Sequence, residues 1–254
     1  MAVTIKSQRE IELMRESCKI LADVFSEMEK AVHPGVSTLD INNLGEKLIR
    51  AHGCIPNFLN YNGYPASICV SVNDEVVHGI PCDEHILMEG DIVSLDAGLI
   101  YEGYHSDAAR THAVGKISEE ARKLIQVTQD SFFKGIEFAR EGNHLHQISA
   151  AIGAYAEGFG YGVVRDLVGH GIGTHLHEDP EVPNFATKRR GILLQPGMTL
   201  AIEPMINAGT PDVIWMDDDW TVVTADHALS AHYENTILIT EGEPEILSLR
   251  PGLE

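Results

Sequence analysis

The chain is short of positive charge, of cysteine and of long apolar runs, and each shortage excludes something. Only 18 Lys and Arg stand against 38 Asp and Glu in 254 residues, a formal net charge of −20. Nucleic acid and anionic lipid both select a basic face, so no nucleic-acid groove is expected. No apolar run approaches the roughly 20 residues that span a bilayer, so no membrane partner is expected. The opening Met1-Ala2-Val3-Thr4-Ile5-Lys6 lacks the apolar stretch of a signal peptide. The four cysteines, Cys18, Cys54, Cys69 and Cys82, form no C-x-x-C pair. Free thiols and a cytoplasmic location are expected. What is present is ordinary for a globular protein: 44% hydrophobic and 22% charged residues.

The organisation is α/β (α+β). Ser7 and Glu10 read as a capping box. The stripe Ile11, Met14, Cys18, Leu21, Phe25, Met28 follows at helical spacing. His33-Pro34-Gly35 ends that helix, and Thr38 opens a second that closes at Gly53. Strand-like runs follow over Ser67–Val72, Asp91–Leu99 and Arg110–Val114. Then the pattern restarts. Ser118 precedes a long helix, and a further helix carries Leu145, Ile148, Ile152, Tyr155 and Phe159. Strand-like runs return over Gly162–Val168, Met198–Ile206, Trp220–Val223 and Asn235–Thr240. Each half has a His-Gly-Ile, at His78 and His170, and a turn glycine ahead of a strand acid, Asp96 or Glu203. We therefore expect one catalytic domain, 1–254, with pseudo-symmetric halves at about 7–115 and 118–250.

The acids carry the chemistry. Asp96, Glu203 and Glu234 sit inside apolar, strand-like runs, where an unpaired carboxylate is expensive to bury. Basic partners are scarce, so divalent metal ions are the natural counter-charge. In Ile92–Leu99, Asp96 falls on the face opposite Val93, Leu95, Ala97 and Leu99; Glu203 likewise falls opposite Met198, Leu200, Ile202 and Ile206. Both acids can thus share the polar face of one sheet while helices cover the other. Local context leaves Asp107 open between a ligand and a solvated acid. Among 13 histidines, His170 stands out in the glycine-rich Val168–Gly173 turn, and His78 in Val76–Pro81. His177 follows at close spacing, with His175 as a competitor. His33, His52, His85, His144, His146 and His227 read as surface or loop residues. Asp217-Asp218-Asp219 reads as a solvated hairpin tip.

In order along the chain stand Val77-His78-Gly79-Ile80-Pro81, Asp96-Ala97-Gly98, Asp107, Gly169-His170-Gly171-Ile172-Gly173, His177-Glu178, Pro196-Gly197-Met198-Thr199, Ile202-Glu203-Pro204 and Glu234-Asn235-Thr236. This set resembles the type I methionine aminopeptidases over about residues 7–247. The resemblance implies the pita-bread fold: a curved antiparallel sheet, outer helices and a pseudo-twofold axis. It implies two divalent metal ions (Co, Mn, Fe, Zn or Ni). Asp96 would hold the first, Asp107 and Glu234 would bridge, and His170 and Glu203 would hold the second. A shared water or hydroxide would attack the first peptide bond of an N-terminal methionine peptide with a small second residue. Glu203 would shuttle the proton, His177 would stabilise the carbonyl oxygen, and His78 would contact the peptide nitrogen. Phe58, Tyr61, Tyr64, Cys69, Leu176 and Trp220 would line the methionine pocket. Phe58 stands where the family often has Cys, and Leu176 where it often has Phe; both keep the wall apolar. Of the pocket positions, Tyr61, Tyr64 and Trp220 fall in loops, where exposed aromatics need a reason. The resemblance further implies a monovalent cation near Asn73 and Ser230, nascent polypeptides and the ribosome as partners, and a monomer. This chain itself begins Met1-Ala2, the substrate type that family accepts.

Three alternatives are distinguishable. Prolidases and aminopeptidase P share the ligand set but carry an extra N-terminal domain, and the first helix here starts near Ser7. Type II methionine enzymes carry a helical insertion between positions matching His177 and Glu203, which are close here. Metal-free relatives that act as binding proteins have lost ligands that this chain keeps.

Overall fold

A computed structural model of the chain describes residues 3–249; Met1, Ala2 and residues 250–254 lie outside the described residues. The elements in order are α1 Gln8–Met28, α2 Thr38–Ala51, β1 Ile55–Pro56, β2 Ile68–Val72, β3 Glu75–Val77, β4 Ile92–Tyr101, β5 Tyr104–Ala113, α3 Glu119–Ile136 and α4 Leu145–Glu157. Then come β6 Gly162–Val163, β7 Gly169–Gly171, β8 Glu178–Val182, β9 Thr199–Ile202, β10 Met205–Asn207, β11 Val213–Trp215, β12 Val222–Thr224, β13 Ser230–His232, β14 Glu234–Leu238 and β15 Glu245–Ile246.

Local signals start the helices where expected. Ser7 N–H donates to Glu10 Oε2 at 2.7 Å while Glu10 N–H returns to Ser7 Oγ, closing the capping box of α1. Ser37 and Asp40 repeat that box at α2, and Ser118 caps α3 through Ala121 N–H. Gly53 follows the α2 C-cap at φ +73°, a left-handed conformation glycine adopts without strain.

One nine-stranded antiparallel sheet organises the rest, along the path β1-β4-β5-β14-β9-β7-β8, with β2 also on β4 and β15 on β14. Two three-stranded sheets, β13-β10-β6 and β11-β12-β3, flank it. Each helix pair covers one part of the large sheet. Ile20, Leu21, Val24 and Phe25 of α1 and Ile41 and Ile49 of α2 pack on Val93, Leu95, Ala97 and Leu99 of β4. Phe132 of α3 and Ile148 and Ile152 of α4 pack on Leu200, Ile202 and Ile237. Each such fully buried side chain contributes about 1.5–3 kcal/mol of transfer free energy. These contacts turn the strands' apolar alternation toward the helices and leave the other face for polar groups.

Several boundaries differ from expectation. The strand expected at Arg110–Val114 runs Tyr104–Ala113, so Asp107 is inside a strand, not at a loop. Only Gly162–Val163 of the run 162–168 pairs. His170 sits within β7 rather than in a turn. The run Met198–Ile206 breaks at Glu203-Pro204 into β9 and β10, which belong to different sheets; proline has no N–H to continue the ladder. Phe159 lies beyond α4 and is 45% exposed.

Candidate metal centre and substrate pocket

Register places the acids. Cys69, Asp96, Ala109 and Glu234 lie directly opposite one another across β2, β4, β5 and β14. Directly opposed residues share a face of the sheet. Asp107 is two positions before Ala109 and so points to that same face. Its neighbour across β14 is Thr236, whose Oγ1 accepts from Asp107 N–H at 3.1 Å. Thr236, Ala201 and His170 then line up across β14, β9 and β7. The acids and imidazole are thus separated by small residues, which leaves open volume between them. Gly98, opposite Asp107, has no room for a Cβ against Asn57 and the Ser106 carbonyl.

Donor atoms of Asp107, His170 and Glu234 all fall within 4.8 Å of one another. His170 Nε2 is 3.6 Å from Glu203 Oε1 and 3.8 Å from Asp107 Oδ2. Nδ1 of His170 lies 2.9 Å from the Gly171 carbonyl, which orients the ring so that Nε2 faces the acids. Asp96 Oδ1, Asp107 Oδ1 and Glu234 Oε1 are buried with no hydrogen-bond partner. Burial pushes the Asp96 carboxyl up to about 8. Burial, then the neighbouring acids, holds Asp107, Glu203 and Glu234 far above the usual carboxylate range. Burial lowers His170 to about 3, keeping it neutral and its nitrogen free to ligate. Orphaned carboxylate oxygens beside a neutral imidazole are the donor set of a hard or borderline divalent cation, which would stabilise the charged acids.

All thirteen expected site residues line one cavity of about 240 Å³, together with Asn62. Its polar floor is Asp96, Asp107, His170, Glu203 and Glu234; its wall is Phe58, Tyr61, Tyr64, Cys69, Leu176 and Trp220. That wall is the surface of a core cluster reaching Ile11, Met14 and Cys18 of α1. Tyr64 is buried rather than exposed, and its hydroxyl donates to the Gly79 carbonyl at 2.9 Å. Trp220 meets Tyr64 edge-on at 5.1 Å and is set by Asp218, which accepts from the N–H of Trp220 and Thr221. The Asp217–Asp219 hairpin tip is exposed, as expected.

Two histidines flank the floor. His78 follows β3 with φ +59°, a conformation that costs a non-glycine residue about 1–3 kcal/mol. Burial lowers it to about 4. His177 stacks edge-on against His170 with ring centres 4.2 Å apart, and its Nδ1 lies 2.7 Å from Tyr61 Oη. His175 is exposed and lines nothing in this cavity. None of the six histidines expected at the surface is buried. Asn73 and Ser230 are neighbours through Ser230 N–H to the Asn73 carbonyl, 2.8 Å.

Sequence reasoning missed three contributors. His232 is 2% exposed, with Nε2 at 3.9 Å from Glu203 and 4.0 Å from Glu234. Its place two positions before a strand acid was the available signal. Asn62, in the Tyr61–Gly63 turn, lines the cavity mouth. Lys6 pairs with Glu178 at 2.7 Å, both side chains buried, and Glu178 also accepts from His175 N–H. The N-terminal segment thereby straps down the loop that carries His177.

An antiparallel sheet that gathers three buried carboxylates, the half-buried Glu203 at a strand end and an imidazole beside an apolar cavity defines a metallohydrolase type of site. The Peptidase M24 family model (metallopeptidase family M24) matches residues 12–241. The methionine aminopeptidase of Clostridium acetobutylicum is 56% identical over 97% of this chain and 99% of its own length. Methionine aminopeptidase 1 of Bacillus subtilis is 47% identical over 97% and 99%. The crystal structure of methionine aminopeptidase from Rickettsia prowazekii superposes with a TM-score of 0.95 at 42% identity, covering 98% of this chain and all of that one. The chain belongs to metallopeptidase family M24 and, within it, to the type I methionine aminopeptidase family, with that family's pita-bread fold.

Proposed function

We propose that the chain removes the N-terminal methionine from nascent proteins and peptides with a small second residue. The observation that carries this reading is the single cavity in which an acid–imidazole floor meets an apolar, aromatic wall. Asp96, Asp107, His170, Glu203 and Glu234 would hold two divalent ions, which would supply Lewis acidity and an activated water.

The chain's own groups do the rest. Phe58, Tyr61, Tyr64, Cys69, Leu176 and Trp220 receive the methionine side chain and exclude water from it. Ile11, Met14 and Cys18 pack behind that wall, which suits the cavity to a terminal residue. Glu203, beside His170 on the floor, takes the proton of the attacking water and returns it to the leaving nitrogen. With Tyr61 Oη as the donor to His177 Nδ1, 2.7 Å away, His177 Nε2 would carry the proton and donate it to the carbonyl oxygen as negative charge develops there. Burial lowers the His177 pKa below its ordinary value, which favours the neutral ring as a donor. His78, held at its left-handed φ, contacts the peptide nitrogen.

Further parts of the reading rest on the same family resemblance. Residues 1–254 form one catalytic unit with halves at about 7–115 and 118–250, supported by the two helix pairs that precede the two strand sets. A monovalent cation sits by Asn73 and Ser230. The protein works as a cytoplasmic monomer on chains leaving the ribosome. Four unpaired cysteines suit a reducing compartment, and among the described residues no helix is long and apolar enough to cross a membrane.

The test compares Met-Ala-Ser, Leu-Ala-Ser and Met-Lys-Ser as substrates of the metal-loaded protein. Release of methionine from Met-Ala-Ser alone is expected. Equal cleavage of Leu-Ala-Ser would contradict the pocket assignment, and equal cleavage of Met-Lys-Ser the small-residue limit.

A further inference from the structure

Strand β5 has a second polar face, and the proposed activity does not use it. Arg110 and His112 point away from Asp107 and Ala109, into a separate cavity of about 260 Å³ between α1, α3 and the sheet. Arg110 donates to the carbonyls of Ala109 and Glu234 and to Asn235 Oδ1, and its guanidinium lies 4.3 Å from the centre of the Tyr233 ring. Among the described residues no carboxylate oxygen comes within 4.0 Å of it. This is an internal cation without a contacting anion: Glu234 on the neighbouring strand and Glu29 on the cavity wall act on it only from beyond ion-pair distance.

The walls around it are also unfinished. Tyr233 is 5% exposed and its hydroxyl has no partner. His112 Nε2 and His232 Nδ1 are buried and equally unpartnered. All four residues line the same cavity. Buried polar atoms in native proteins are almost always hydrogen-bonded, and an unpaired internal charge is more costly still. A neutral metabolite would satisfy the hydroxyl and the ring nitrogens but leave the guanidinium uncompensated. A cation would be repelled by it.

We propose that this cavity is a binding site for a small oxyanion, a carboxylate or a phosphoryl group, held by Arg110 with His112 and Tyr233 as further donors. Arg110 supplies the charge-assisted hydrogen bonds. Burial and the nearby Arg110 hold His112 neutral, so it offers one N–H rather than a second cation. The site lies behind the strands that carry Asp107 and Glu234, and no residue of the methionine pocket borders it.

The test is titration calorimetry of the metal-loaded protein with inorganic phosphate and, separately, with acetate, on wild type, Arg110→Gln and His112→Phe. Wild type should show a saturable binding event that Arg110→Gln weakens by about tenfold or more, as loss of a charged hydrogen-bond donor does. His112→Phe should weaken it by a smaller factor while hydrolysis of Met-Ala-Ser stays at the wild-type rate. Phosphate binding tighter than acetate assigns a phosphoryl ligand, and the reverse assigns a carboxylate. The proposal is overturned if neither anion binds saturably, or if both variants bind as wild type does, which would place the anion at the metals instead. Should Arg110→Gln fail to fold, His112→Phe decides the question alone.

Discussion

The two faces of β5 make opposite electrostatic demands only one sheet thickness apart. Toward the proposed methionine pocket, Asp107 joins Asp96, Glu203 and Glu234 with no Lys or Arg lining the cavity. Toward α1 and α3, Arg110 and His112 stand with no carboxylate in ion-pair range among the described residues, the one acid on the cavity wall being the more distant Glu29. Arg110 and Glu234 attract each other across the strands but form no contact ion pair. Arg110 instead donates to backbone carbonyls of the strands that bear the acids. Each face therefore depends on a species from outside: divalent cations in front, and, on our proposal, an oxyanion behind. Burial without a partner thus identifies a binding site better than residue type does.

Disabling the front face should have the largest effect. Glu203→Gln keeps the shape of the floor but removes the proton acceptor. Turnover of Met-Ala-Ser should fall roughly 10²–10⁴-fold with an unchanged circular dichroism spectrum; near-normal turnover would remove Glu203 from that role. His78→Ala should also lower turnover but retain metal, since we propose His78 as a substrate contact only, and loss of metal in that variant would refute the assignment.

Next in size is the pH dependence of the metal-free protein, where the two faces oppose each other. In front, burial raises Asp96 from its ordinary value to about 8, so folding favours the protonated acid. That contribution is complete at low pH and is lost as pH rises through about 8. Behind, burial lowers His112 to about 4, so its contribution is present above the ordinary histidine value and lost as pH falls toward 4. Thermal melts of chelated protein should therefore weaken from pH 5 to pH 8, and loading with metal should abolish that decline. A decline that survives metal loading would locate its cause elsewhere.

Leu95→Ala tests the same alternation on β4. Leu95 is fully buried against the helices while Asp96 faces the acids. The truncation should cost about 2–5 kcal/mol in denaturant unfolding and leave metal stoichiometry unchanged, whereas Asp96→Ala should lose metal. Lost metal in Leu95→Ala would mean the faces are not separable.

The smallest effect is expected where an internal charge already has its partner. Burial raises Glu178, but hydrogen bonds from Lys6 and Thr4 outweigh it and hold the carboxyl below its ordinary value of 4.5. Its contribution is present above that value and lost as pH falls below it. Lys6→Met should cost about 1–3 kcal/mol at neutral pH and flatten the acid limb of the stability profile. An unchanged acid limb would show that the strap carries no weight.

These contrasts also explain what the sequence made legible. Asp96 and Glu203 were readable because each alternates with apolar residues that face helices. Asp107 was not, because Tyr104–Ala113 is polar on both faces: His105, Asp107 and Thr111 with small residues in front, Arg110 and His112 behind. Alternation has no apolar side to reveal there. The break after Glu203 was signalled by Pro204 yet hidden by the apolar residues on both sides. His232 was overlooked because the strand holding it, Ser230–His232, is too short to show a period. Among the pocket residues, Tyr64 came from family resemblance, and its burial follows from a hydroxyl bonded to Gly79, which no spacing encodes.

The most direct test of the central claim is to titrate metal-free protein with Mn(II) or Co(II), following bound metal and methionine released from Met-Ala-Ser in the same samples. We predict that release appears only as metal is taken up, that binding saturates near two ions per chain, and that Glu234→Gln loses both together. Methionine release by fully chelated protein, or full metal occupancy with no release, would contradict the account.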